Sequence, residues 1–202
     1  QLAGCNLEQA LTAAKDLARL HAFGYKTGWQ HESTWIRPLI DEQLRKTGEE
    51  SLRVHLPESM KLYEAVCPDW LAPNAERYPD LAYEFTDKMH KYPHTLIHGD
   101  FRADNLVFNQ TGHMTLLDWQ LVFSAPGAYD LGYFMSQSLD TDLRREHGDS
   151  ILNAYFDELE QLGVEVNQRE FMEVFRLATA YCLIYPLIGG GRSEEHTSEL
   201  QS

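Results

Sequence analysis

The sequence predicts a mainly helical α+β fold arranged around one small β-hairpin. Three observations carry this. Apolar residues recur at helical spacing along most of the 202 residues. Two short β-prone runs flank a connection that contains Gly. Between two apolar runs, the stretch "LIHGDFRADNLVF" packs a histidine, two aspartates and an asparagine into the eight residues His98–Asn105. A plain surface turn has no need of so many functional groups.

Taken in order, Asn6 and Gln9 form a capping-box-like helix start, and Leu7, Leu11, Ala14, Ala18 and His21 follow as a broad apolar stripe. An aromatic, polar connector, "GYKTGWQHESTW", comes next. A helix is expected around Pro38–Lys46, then a charged turn at "KTGEE" and a further helical pattern over Lys61–Val66, its extent limited by Pro57 and Pro68. "CPDWLAPNAERYPD" reads as loop. Leu81, Phe85 and Met89 mark a helix that ends before Pro93. Thr95–Ile97 reads as a strand, and Leu106–Phe108 and Met114–Leu117 as a hairpin joined by "NQTGH". Helices are then expected over Tyr129–Ser138, Thr141–Leu162 and Gln168–Leu187, the last capped by Asn167.

A hydrophobic share of 43% and an aromatic share of 11% are those of a folded globular chain, long enough for one good core. No unbroken apolar run of membrane-spanning length and no charged-then-apolar leader stands out, so no membrane partner is expected. Cys5, Cys67 and Cys182 are far apart and odd in number, which fits buried thiols in a reducing, cytoplasmic setting. A formal charge of −14 argues against nucleic acid as a partner. The same acidity favours a cationic small molecule, although solubility explains it equally well.

Both ends read as cut. The chain enters its first helix within six residues of Gln1, and after "LIYPLIGGG" the composition changes abruptly to "RSEEHTSELQS". Those last eleven residues can be encoded by a common sequencing-library adapter read in frame. The expected organisation is therefore one lobe over residues 1–191 and a non-native tail over 192–202.

The hairpin gives the opening motif its chemistry. Asn105 lies just before the first strand and Asp118 just after the second, so antiparallel pairing at about 4.8 Å brings the two together. An amide oxygen and a carboxylate so placed can share one hard cation, with magnesium the natural candidate. Asp100, five residues before Asn105, can aim a carboxylate at a substrate hydroxyl. A carboxylate base with two metal ligands is what phosphoryl transfer requires, because that reaction depends mainly on positioning and charge neutralisation. The order also follows the protein-kinase pattern, with His98-Gly-Asp for His-Arg-Asp and Asp118-Trp-Gln for Asp-Phe-Gly.

Together, "LIHGDFRADNLVF", "LLDWQ" and "AYDLGYF" resemble the aminoglycoside phosphotransferase and choline kinase-like superfamily of small-molecule kinases, and "AAKDLARLHA" resembles the helix that opens its C-terminal lobe. The resemblance covers most of Leu7–Gly191, and its specific part is Ile97–Leu131. It implies the C-terminal lobe of the protein kinase-like fold, without the ATP-clamping N-terminal lobe. The implied activity moves the γ-phosphoryl group of ATP to a small-molecule alcohol with Mg2+. Asp100 matches the aspartate that orients the acceptor hydroxyl and can deprotonate it. Asn105 and Asp118 match the magnesium ligands, His98 a histidine that braces the loop, and Asp130 an aspartate that braces the catalytic segment from the next helix. Gln120 stands where protein kinases have glycine, so no in/out switch of that segment is assumed.

Plainer readings stand beside these. Asp and Asn cap turns routinely. His98 and His21 suit structural hydrogen bonds, Trp119 and Phe123 suit the core, and Asp130 suits a helix cap. Asp140 and Asp142 fit a cationic substrate or simply a solvated helix start. The tryptophans and histidines near Trp29–Trp35 can line an acceptor pocket, and nothing else in the sequence singles that reading out. The rival function classes are a non-catalytic, pseudokinase-like binding module and a metal-dependent hydrolase.

Overall fold

The structure is a computed structural model, which describes residues 4–39, 41–67, 69 and 71–189. Pro68 and the proposed adapter-derived tail, Arg192–Ser202, lie outside the described residues. The first helix, α1 (Leu7–Thr27), begins with the expected capping box: the Asn6 side chain accepts from Gln9 N, and Gln9 answers to Asn6 N. It ends where Gly28 takes a left-handed backbone at φ 64°. The connector after it holds one short helix, α2 (Trp29–Glu32), and a two-residue strand, β1 (Arg37–Pro38).

The next region differs from expectation. Of the helix expected around Pro38–Lys46 only Glu42–Lys46 is helical, Pro38 lying in β1; that part, the turn at "KTGEE" and the start of the Lys61–Val66 pattern belong to a single helix, α3 (Glu42–Leu62), which carries Gly48 and Pro57 inside it. Tertiary packing overrides the two breakers. Leu52 and Leu56 are buried in a second core cluster with Leu71, Tyr78, Ile184 and Leu187, and the Ser59 hydroxyl donates to the Leu187 carbonyl at 2.5 Å. Gly48 has the Ile184 side chain 3.7 Å from where its Cβ would stand.

Within the stretch read as loop, Ala72–Arg77 forms a 3-10 turn that leads into α4 (Tyr78–Met89). The strand β2 (Thr95–Ile97) and the hairpin β3 (Leu106–Phe108) and β4 (Met114–Leu116) then follow as expected. A strand the sequence did not announce, β5 (Phe123–Ala125), runs between β2 and β1, antiparallel to the first and parallel to the second.

The last three helices are α5 (Ala128–Gln137), α6 (Thr141–Gln161) and α7 (Gln168–Tyr181). Asp140 caps α6 by accepting from Leu143 N, and Asn167 caps α7 through Glu170 N. By length and composition the helical stretch Gln168–Gly189 is apolar enough to cross a membrane, a property the sequence reading passed over. Here its residues Phe171, Val174, Ala178, Cys182, Ile184 and Leu187 are buried against the rest of the lobe.

The main core sits between α1, α5, α6 and α7, around Leu17, Phe101, Leu131, Phe134, Ile151 and Leu159. Helix α1 packs on α6 and also directly on β2. The second contact depends on Gly24, since a Cβ there would collide with the Leu96 amide nitrogen and the Thr95 hydroxyl. Thr95 Oγ1 in turn donates to the His21 carbonyl at 2.7 Å. Gly24→Ala gains up to about 1 kcal/mol of helix propensity. The backbone collision should reverse that sign, with a net loss of about 1–3 kcal/mol in urea unfolding.

Candidate active site

The site is built where β2 ends, and its anchor is buried. Asp130, in the first turn of α5, is fully enclosed and accepts from His98 N at 2.6 Å and from Gly99 N at 2.9 Å. On its other side stands His21 of α1, with Nε2 3.4 Å from the carboxylate and Nδ1 2.7 Å from the Tyr155 hydroxyl. A neutral imidazole fits both contacts, with Nε2–H facing Asp130 and the Tyr155 hydroxyl donating to Nδ1. Gly127 leaves room for this network, because a Cβ there would stand 2.6 Å from His21 Nδ1 and 2.9 Å from the Tyr155 hydroxyl.

His98 is buried, and its ring ties the loop to the hairpin. Nε2 donates to the Leu117 carbonyl at 2.9 Å, and Nδ1 accepts from Asp100 N at 3.3 Å. Both ring nitrogens are thus occupied, which leaves no spare position for base chemistry. Gly99 has φ +83°, and a Cβ on it would strike the Leu121 carbonyl, so only glycine suits the turn.

The Asp100 carboxylate receives donors from three directions. Asn105 Nδ2 donates to Oδ2 at 2.9 Å and the Tyr133 hydroxyl to Oδ1 at 2.9 Å, while Arg102 Nε lies 3.3 Å from Oδ1. Asn105 Nδ2 also donates to the Asp100 carbonyl at 2.8 Å. Both hydrogen bonds of that amide are therefore made by its nitrogen, which assigns Oδ1 as the atom able to take a cation. The hairpin register pairs Leu106 with Leu116, and Leu117 N donates to the Asn105 carbonyl at 2.9 Å. Asp118 thus follows the residue opposite Asn105.

Asp118 is exposed, accepts from Gln120 Nε2 at 3.3 Å, and has φ 60°, the one positive value at a non-glycine position among the described residues. Such backbone strain collects at functional sites. Asn105 Oδ1 and the Asp118 carboxylate are hard oxygen donors of the kind Mg2+ takes, and that ion commonly draws few ligands from protein and the rest from phosphate and water. Among the described residues there is no group of three or more His, Cys, Asp or Glu that could hold a metal.

Not every residue singled out in the sequence lies here. Trp119 is 46% exposed, so the core reading is corrected; its ring stands edge-on to His98 at 5.0 Å between centroids. Phe123 is partly buried against the core. Asp140 is occupied as the α6 cap. Trp29 and Trp35 meet edge-on at 5.8 Å on the surface. Tyr133 was missed, although its position three residues after Asp130 puts both on one face of α5. Tyr155, 134 residues from His21, left no sequence signal at all.

The fold and this loop define a partial lobe of the kinase-like small-molecule phosphotransferases. The choline kinase LicA from Streptococcus pneumoniae matches with a TM-score of 0.52 and 15% identity, over 93% of this chain and 56% of that one. Aminoglycoside phosphotransferase APH(3'')-Id from Streptomyces rimosus, solved with ADP and streptomycin, matches with a TM-score of 0.56 and 13% identity, over 90% and 63%. Macrolide 2'-phosphotransferase MphH from Brachybacterium faecium matches with a TM-score of 0.52 and 16% identity, over 100% and 58%. The chain thus spans only 56–63% of the length of these structures. No curated protein sequence matches it. The profile of the ecdysteroid kinase-like family matches residues 1–167, and the chain belongs to that family.

Removing the Asp130 carboxylate leaves two buried N–H groups without an acceptor. Asp130→Ala should cost about 3 kcal/mol or more in chemical denaturation. A loss under about 1 kcal/mol would mean that the loop is held by something else.

Proposed function

We propose that the protein to which this chain belongs transfers the γ-phosphoryl group of ATP to a hydroxyl of a small molecule. The observation that carries the reading is the Asp100–Asn105 pair, locked side chain to side chain next to the strand end that presents Asp118. Asp100 would orient the acceptor hydroxyl and receive its proton. Asn105 Oδ1 and Asp118 would hold Mg2+, which supplies charge neutralisation on the phosphates. His98 and Asp130 would act on the loop's shape rather than on substrate. Each of the three chemical positions carries a competent residue, which favours an enzyme over a pseudokinase-like binding module.

The acceptor we propose first is an ecdysteroid, a polyhydroxylated steroid alcohol, on the strength of the family to which the chain belongs. The choline kinase, aminoglycoside and macrolide phosphotransferase folds support the broader class of small-molecule alcohols. The formal charge of −14 keeps cationic acceptors in the screen.

Two outcomes check this. In the full-length protein, Asp100→Ala should abolish transfer from radiolabelled ATP while leaving nucleotide affinity nearly intact; transfer that survives the change would refute the assignment. The 202-residue chain by itself should show negligible magnesium-dependent ATP turnover. Its described residues include no Gly-rich strand pair over the phosphates, and phosphoryl transfer relies on such positioning. A steady-state rate typical of whole kinases from this chain would contradict that.

A further inference from the structure

We infer that Tyr133 is a positioning residue for phosphoryl transfer, holding the Asp100 carboxylate in the orientation its role requires; the inference rests on the phosphotransferase reading above. The three donors around Asp100 are not equivalent. Arg102 is 45% exposed and also lies 3.8 Å from Asp104, so it is a solvated, shared partner free to follow an arriving phosphate. Asn105 is engaged through its nitrogen so that its oxygen can serve the metal position. Tyr133 alone comes from a buried helix face: it is 4% exposed and its hydroxyl is 2.9 Å from Asp100 Oδ1.

Its ring is held from two sides. The Tyr129 ring stacks at 6.4 Å between centroids and the Tyr185 ring packs at 4.8 Å, while Tyr129 and Tyr185 are tied to each other through their hydroxyls. A phenol turns about only two side-chain torsions, and here the packing leaves neither free. Burial and the neighbouring carboxylate both push the Tyr133 hydroxyl above its ordinary range, so it remains a proton donor throughout working pH. Without this fixed donor, Oδ1 would answer chiefly to Arg102. The carboxylate could then swing toward the guanidinium, and the bond to Asn105 would loosen with it.

The test uses the full-length protein, magnesium-ATP and ecdysone as the acceptor probe. Tyr133→Phe keeps the ring and removes only the hydroxyl. It should lower kcat about 10- to 100-fold and leave the KM for ATP within about twofold. The loss should persist after normalisation to the folded fraction read by circular dichroism. A purely structural role would instead lower that fraction in proportion to kcat. A crystal structure of the Tyr133→Phe protein should show the Asp100 carboxylate turned from Asn105 toward Arg102. Wild-type kcat in Tyr133→Phe, a loss fully accounted for by the folded fraction, or an unmoved Asp100 carboxylate would each overturn the inference. If the wild type transfers nothing to ecdysone, the acceptor assignment fails, and the position of Asp100 in the crystal decides the role of Tyr133 by itself.

Discussion

Everything at the site hangs from one buried carboxylate. Asp130 is removed from water on every side, a costly place for an ion unless its oxygens are satisfied. They are satisfied by the backbone of the His98–Asn105 loop: His98 N and Gly99 N donate to its two oxygens, and His21 approaches from α1. The helix that carries Asp130 follows β5, and the loop it holds follows β2. A single side chain therefore closes the gap between two strands, a helix start and the loop that presents Asp100.

Rigidity passes outward from that anchor in steps. His98, held through its backbone by Asp130, uses its ring to reach the Leu117 carbonyl in the hairpin. The hairpin ladder then sets Asn105 opposite Leu117, with Asp118 next along the chain. Asp118 itself sits in a strained left-handed conformation, tolerated because the residues on both sides are fixed. Asp100 is reached separately, from Asn105 on one oxygen and from Tyr133 on the other. Strain and charge are thus concentrated on an exposed rim, while the groups that bear the load are buried beneath it.

Much of this was legible in the chain. Helical periodicity placed α1, α4, α5, α6 and α7 closely, because each buries one stripe against the rest of the lobe. Asp100, Asn105 and Asp118 could be brought together on paper because a hairpin is a local structure whose register follows from a short connection. Local rules failed for α3, where a glycine and a proline suggested breaks. Leu52 and Leu56 instead find Tyr78, Ile184 and Leu187, partners far along the chain, and their burial outweighs the local penalty. Trp119 was misplaced for the opposite reason: an aromatic residue beside an apolar run looks like core until the surface it faces is known.

By itself the sequence determined the helical character of the lobe, the His98–Asn105 motif and its spacing, and the hairpin that joins Asn105 to Asp118. Each depends on contacts among neighbours in the chain, where residue type and period are enough. Only the tertiary structure decided that β5 joins β1 to β2, that His21 and Tyr155 meet over Gly127, and that Tyr133 rather than Arg102 is the buried donor to Asp100. Those are contacts between distant segments. They form because burying a polar group demands a partner, and the chain finds that partner only once it has folded.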